Sequence, residues 1–382
     1  MPKDFWHELA GQPEAVALMK RAVEDREDGV FHSWLVTGPP GSGRSVLAET
    51  FAAALQCSEM GCGTCQSCIL ASAGTHPDIT ILSTEKVQIA ISEVRDLVAS
   101  SSFGASTGRY RIMIIEDADR MAPVAANVLL KALEEPPANT IWILCAPSEA
   151  DMLPTIRSRV RKVTLKVPSV SDVAQLLVER DQVDPVLATL VAAEAQSHIG
   201  MARRLATSSE ARDRRHEYLR SALSIQNVFQ ATKTADKWLD LAKKDAAALT
   251  KERDEEEREA LLHSLGLSAA ESIPTQYRTD IKNLEEGQKR RATRSLRDGL
   301  DRILVDLLAL YRDVLTVQLQ AGVELVNRDL DAQIREVANA TKPERTLHII
   351  DSIEQARERI DRNVRDLFVM DSLASTMMRV GN

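Results

Sequence analysis

Residues 38–45 read Gly-Pro-Pro-Gly-Ser-Gly-Arg-Ser, preceded by the apolar run Trp34-Leu35-Val36 and followed by the helix-forming AETFAAALQ. No other feature of the chain constrains its fold as much. Glycines let successive backbone N–H groups turn toward a phosphate, and the helix that follows adds the positive end of its dipole. The octet fits G-x-x-x-x-G-K-[ST] except at Arg44, where lysine is expected. Gly38, Gly41, Ser42, Gly43, Arg44 and Ser45 are therefore candidate nucleotide-binding residues, with Ser45 placed to ligate Mg²⁺. Arginine keeps the charge, but its planar guanidinium cannot copy a compact ammonium. The octet thus specifies a nucleotide-binding type of α/β fold and leaves open whether ATP and Mg²⁺ bind.

Three further runs read as strands: DITIL, RYRIMIIED and TIWILCAP. Between them lie the helical segments ISEVRDLVASSS and VAANVLLKALEEP. Strands alternating with helices imply a parallel sheet covered on both faces. Ahead of the glycine-rich loop, Ala15, Leu18, Met19, Ala22 and Val23 recur at helical spacing, which predicts a helix over residues 5–30. The strand Ile112–Ile115 ends in Glu116-Asp117. An active phosphate-loop ATPase ends this strand in Asp, for the metal, and then Glu, for the attacking water. Here the order is inverted, and a misplacement of ~1 Å can cost ~100-fold. Glu116 and Asp117 join the candidate nucleotide residues, but hydrolysis by this chain alone is not expected.

Beyond Pro168 the patterning is helical only. Residues 168–208 read as a small helical segment and 209–382 as a larger one, with Leu300, Ile303, Leu304, Leu307, Leu308 and Tyr311 on one stripe. The run KERDEEERE at 251–259 reads as a solvated helix face or a mobile loop. A break is expected in SIPTQ, and no internal repeat is evident.

Four of the five cysteines, Cys57, Cys62, Cys65 and Cys68, fall within twelve residues as C-x4-C-x2-C-x2-C. Four thiolates at such spacing match a closed tetrahedral zinc site with no open position for catalysis. A structural Zn²⁺ would fold a small knuckle that lacks a core of its own. His76 reads as structural, since four sulfurs already complete the shell, and Cys145 reads as a small buried residue in a strand.

Net charge is −8 and aromatics make up 4%. A protein that grips DNA with its whole surface is usually basic, so DNA contact here is expected to be local or to come through partners. The first residues hold no apolar signal core and no stretch approaches the ~20 apolar residues that span a bilayer. A cytoplasmic protein without membrane attachment is the expectation.

HSWLVTGPPGSGRS, the cysteine knuckle directly after the loop's helix, AGTHPDI, AANVLLKALEEPP and LPTIRSRV occur together and in this order. As a set they resemble bacterial clamp-loader subunits of the gamma and delta-prime type, over about residues 5–206; the remainder is similar only in helical character. The resemblance implies an AAA+ base over 1–167 with a zinc module at 57–68, a helical lid over 168–208, and an all-α collar over 209–382 that assembles a five-subunit ring. It implies work within the DNA polymerase III holoenzyme, where a sliding clamp is placed on primed DNA, with gamma/tau and delta subunits as partners. Gamma-type subunits are motors with intact Lys and Asp-Glu motifs. Arg44 and the inverted Glu116-Asp117 side with the delta-prime type. By the same resemblance Arg159, in Ser158-Arg159-Val160, takes the place of an arginine that reaches into the neighbour's ATP site. Arg203 aligns with a nucleotide-sensing lid arginine, with Arg204 beside it as the alternative. Two other readings compete. One is a gamma-type ATPase motor. The other is a zinc-knuckle DNA-binding regulator, which residues 57–75, without a Lys or Arg, argue against.

Overall fold

The computed structural model describes Trp6 and residues 9–27, 30–84, 88–264 and 278–378. The chain forms two compact units, Met1–Thr207 and Ser208–Asn382.

In the first unit five parallel strands form one sheet: β1 (Ser33–Thr37), β2 (Ile79–Leu82), β3 (Arg111–Ile115), β4 (Thr140–Ala146) and β5 (Arg161–Thr164), in the order β2-β3-β4-β1-β5. Side chains alternate across a strand, and the sheet uses both faces. Trp34, Val36, Ile112, Ile114, Ile141 and Ile143 pack against Met19, Leu47 and Phe51 of the helices α1 (Pro13–Glu24) and α2 (Arg44–Gln56). Leu35, Met113, Ile115, Trp142 and Leu144 point the other way, onto a core that includes Leu97 and Leu129. Those two come from α4 (Ile91–Ser101) and α5 (Pro123–Glu134); the short α3 (Gln66–Ser72) lies between α2 and β2 in the chain. A run such as WLV thus has no polar face because helices cover both sides.

Two details differ from the sequence reading. The first helix begins only at Pro13, preceded by Gly11 at φ 68°, and ends at Glu24 in a short 3-10 turn. The fifth strand, Arg-Lys-Val-Thr, was not anticipated. It lies at the sheet edge against β1, with only Val163 buried, so its sequence carries almost no apolar signal. Between β4 and β5 sits a single helical turn, α6 (Pro154–Arg157), and the unit closes with α7 (Val170–Asp181), α8 (Pro185–Glu194) and α9 (Ile199–Thr207).

The second unit is helical: α10 (Ser209–Leu223), α11 (Val228–Ser264), α12 (Arg278–Gln318), α13 (Asp331–Ala340), α14 (Pro343–Asp361) and α15 (Asp366–Thr376). Trp238, Leu304, Leu307, Ile334, Ile353 and Met370 lie in its core. A buried polar cluster is paired: Arg215 donates to Asn327 Oδ1 at 2.6 Å, and Asp313 accepts from the Asn327 backbone N–H at 2.8 Å. Among the described residues, this core takes buried side chains from α11 only up to Ala242 and from α12 only from Leu300 onward, with Leu296 packed at its edge. Further out the two helices continue as an arm that buries Leu262 and Ile281 and carries charged pairs along its seam. Arg291 reaches Asp254 at 2.6 Å and Glu257 at 2.7 Å. The charge run 251–259 is therefore helix, and part of it forms the seam of the arm. The break expected in SIPTQ lies outside the described residues. Among the described residues no helix is long and apolar enough to cross a membrane.

Candidate functional site

The glycine-rich loop leaves β1 at the C-terminal edge of the sheet, where the Gly38 N–H donates to the carbonyls of Ala146 and Pro147 at 3.3 and 3.2 Å. Gly41 (φ 79°) and Gly43 (φ 95°) adopt left-handed backbone that side chains resist, which is what the loop needs to enter α2. Gln12 ties the loop to the end of β5: its Nε2 donates to the Lys166 carbonyl at 2.7 Å, and its Oε1 accepts the Lys166 N–H at 3.0 Å.

Arg44 does not point outward. Its Nη1 donates to the Gly38 carbonyl at 3.0 Å, and its Nη2 lies 3.7 Å from Asp117 Oδ1. Asp117, at φ 47°, also has Arg120 Nε 3.7 Å from its other oxygen. The structure thus brings Arg44 and Asp117 together, but as partners of one another. Burial pushes the neighbouring Asp119 carboxyl up. The inverted acidic pair follows β3 directly, and the Glu116 N–H only extends the ladder, to the Leu82 carbonyl at 3.0 Å.

A residue that sequence reasoning missed lies over the loop. A side-chain carbon built on Gly41 would fall 2.3 Å from the ring of His198, and the Ile199 N–H donates to the Gly41 carbonyl at 3.2 Å. His198 Nδ1 accepts the Met201 N–H at 3.2 Å and so caps α9. Only the histidine ahead of a helix hinted at this. Arg203, the expected sensor, is engaged by Asp181 at 3.1 Å.

At the far end of α2 sit the cysteines. The sulfurs of Cys57, Cys62, Cys65 and Cys68 all lie within 4.8 Å of one another, with Cys57 at 3.6 Å from Cys62 and 3.7 Å from Cys65. A tetrahedral zinc with bonds of about 2.3 Å has sulfur–sulfur edges of about 3.8 Å, so the donor set fits that ion. Backbone N–H groups of Cys62, Cys65 and Cys68 donate to the preceding sulfurs at 3.4–3.5 Å. Hydrogen bonds from the Thr64 backbone and side chain help hold Cys62 down at about 6, whereas burial pushes Cys68 up. His76 is not part of the set. Its Nδ1 accepts the Asp78 N–H at 3.1 Å and its Nε2 meets Ser67 Oγ at 2.9 Å, pinning α3 to the start of β2. Arg26 holds the other side, donating to the Cys57 and Ser58 carbonyls at 2.7 Å each.

Arg159 lies just past α6. Its Nη1 donates to the Thr155 carbonyl at 2.8 Å and to Ser158 Oγ at 3.1 Å, and its Nη2 pairs with Glu134. A third of the side chain stays exposed.

Two family models match the chain: DNA polymerase III, delta subunit, over residues 11–169, and DNA polymerase III, delta subunit, C terminal, over 294–375. DNA polymerase III subunit delta-prime of Pseudomonas aeruginosa is 39% identical over 143 residues, 36% of this chain and 44% of that one. The delta-prime subunit of Bacillus subtilis is 24% identical over 96% of this chain and 97% of its own. The chain is similar to delta-prime subunits of DNA polymerase III. The gamma/tau subunit of Mycobacterium tuberculosis is 29% identical, over 40% of this chain and only 27% of its own length. Similarity to the delta-prime family therefore runs through both units. Against the Pseudomonas relative, however, the chain aligns with less than half the length. The arm between Ala242 and residue 294 lies outside both family models.

Proposed function

We propose that this chain is a clamp-loader scaffold: it takes its place beside gamma/tau and delta subunits, helps set a sliding clamp on primed DNA, and lends Arg159 to a neighbour's ATP site. On this reading residues 1–167 are the base, 168–208 the lid and 209–382 the collar, and the assembly works in the cytoplasm. The observation that carries the reading is the contrast between two arginines. Arg44, where a motor needs a phosphate-binding lysine, is folded onto the Gly38 carbonyl and beside Asp117. Arg159 sits at the surface with its guanidinium partly exposed. Phosphoryl transfer is catalysed mainly by positioned charge, and a guanidinium supplied in trans contributes roughly 10³–10⁵ in rate in well-studied systems. The zinc knuckle, with all four positions filled by thiolate, would serve structure and not chemistry.

The test is reconstitution. The purified chain should co-elute with gamma and delta subunits in size-exclusion chromatography and show no steady ATP turnover alone. Arg159→Ala should leave assembly intact and lower DNA-stimulated ATPase and clamp loading by the complex. Robust turnover by the isolated chain would move it to the motor type; wild-type loading with Arg159→Ala would reduce its role to scaffolding.

A further inference from the structure

Glu134 occupies an electrostatically unfavourable place. It is the last residue of α5, where the carbonyl end of the helix dipole disfavours an acidic side chain, and Glu135 and Pro136 follow it. Its carboxylate is turned to the Arg159 guanidinium. The other bonds that hold Arg159 are local: Thr155 and Ser158 lie within four residues and both engage Nη1. They anchor the guanidinium at one nitrogen and only to its own turn. Glu134 comes from another element, 25 residues back, and takes Nη2. Two planar nitrogens held from two directions define where the remaining edge of the guanidinium faces. Of the five N–H donors an arginine carries, these contacts use three, so donors remain for a phosphate.

We propose that Glu134 is the positioning residue for Arg159, setting the orientation in which the guanidinium is presented to a nucleoside triphosphate held by the adjacent subunit. This rests on the trans role of Arg159 proposed above. Glu134 touches no reacting atom; it acts through the arginine. Positioning of a charge that acts only as the transferred group develops its own should appear in turnover and not in nucleotide binding.

The experiment uses the reconstituted loader with Glu134→Ala, Glu134→Gln, Arg159→Ala and the Glu134→Ala/Arg159→Ala pair, each checked for zinc content and complex elution. Glu134→Ala should lower the DNA-stimulated kcat by about 3- to 10-fold, given how steeply rate falls with misplacement, at unchanged KM for ATP. Glutamine keeps an acceptor and should fall between alanine and wild type. In the Arg159→Ala background the second change should have no further effect, because the two residues act as one unit. Full activity of Arg159→Ala would sink the trans role itself. A lowered Arg159→Ala with an unaffected or simply additive Glu134→Ala would leave that role standing and overturn the positioning. Faster turnover in Glu134→Ala would also overturn it, by showing that the ion pair restrains the arginine.

Discussion

Replacing Asp78 by asparagine tests the physical reading of the THPD segment. The Asp78 side chain is fully buried. One oxygen accepts the Ser106 N–H (2.6 Å) and hydroxyl (2.9 Å); the other accepts the Thr107 N–H (2.8 Å), the Thr107 hydroxyl (3.0 Å) and the Gly108 N–H (2.6 Å). Burial alone would raise this carboxyl, but the backbone N–H groups of residues 106–108 outweigh it and hold the group well below the usual carboxylate range. Asparagine has the same shape but only one acceptor oxygen. Kept toward Thr107 and Gly108, it turns an amide N–H₂ on the Ser106 N–H; the Ser106 hydroxyl can rotate away, but the backbone donor cannot. An unsatisfied buried donor costs about 1–3 kcal/mol, and each surviving bond loses about 1 kcal/mol on passing from a charged to a neutral acceptor. The expected destabilisation is about 4–6 kcal/mol at neutral pH. Because the folded carboxyl is depressed, its contribution is fully present above pH ~4 and is lost as pH falls below that value. Wild type and Asp78→Asn should therefore converge in acid. Urea denaturation at pH 7 and pH 3, with hydrogen exchange at the amides of 106–108, reads both effects. A difference under ~1 kcal/mol at pH 7, or one that persists undiminished at pH 3, would refute the reasoning.

Cys65→Ser should reduce bound zinc from about one equivalent per chain to well below it by elemental analysis, with loss of protection in α3; folded wild-type protein that carries no metal would contradict the assignment. Arg44→Lys should not restore ATP turnover in the isolated chain, because Glu116-Asp117 stays inverted; measurable steady hydrolysis by the variant would show that the loop was the sole defect. Replacing residues 247–292 by a short turn should leave the thermal transition of the second unit within a few degrees of wild type, because none of the described residues of that span lies in its core; collapse of the second unit on deletion would show that the arm is part of its core.

Legibility in the sequence followed how completely each residue's environment is local. The strands β1, β3 and β4 announce themselves because both their faces are buried and their central runs are apolar, and the glycine-rich loop does so by its spacing. The four cysteines are legible because their ligand geometry is set within twelve residues. By contrast β5 is an edge strand whose outward residues are polar, so only its pairing with β1 defines it. His198 was hard to single out because its partner, Gly41, is 157 residues earlier and contributes no side chain. The orientation of Arg44 was equally hidden: that it would turn back onto the Gly38 carbonyl depends on local geometry that the octet pattern does not encode. The charge run 251–259 reads alike as loop or helix until the opposing Arg291 is seen in its seam.

The strand order has a consequence for synthesis. The last of the four clustered cysteines, Cys68, leaves the ribosome long before β1 can find its neighbours, since β4 begins at Thr140 and β5 at Arg161. Long-range parallel pairing is slow and leaves strand edges exposed in the nascent chain. A knuckle whose four ligands span twelve residues closes without waiting for the sheet. With zinc present, the end of α2 becomes a fixed point roughly 70 residues before the first partner strand arrives. The metal would thus matter most to the chain while it is being made, and zinc starvation should show first as newly synthesised protein lost to aggregation, with the mature pool spared.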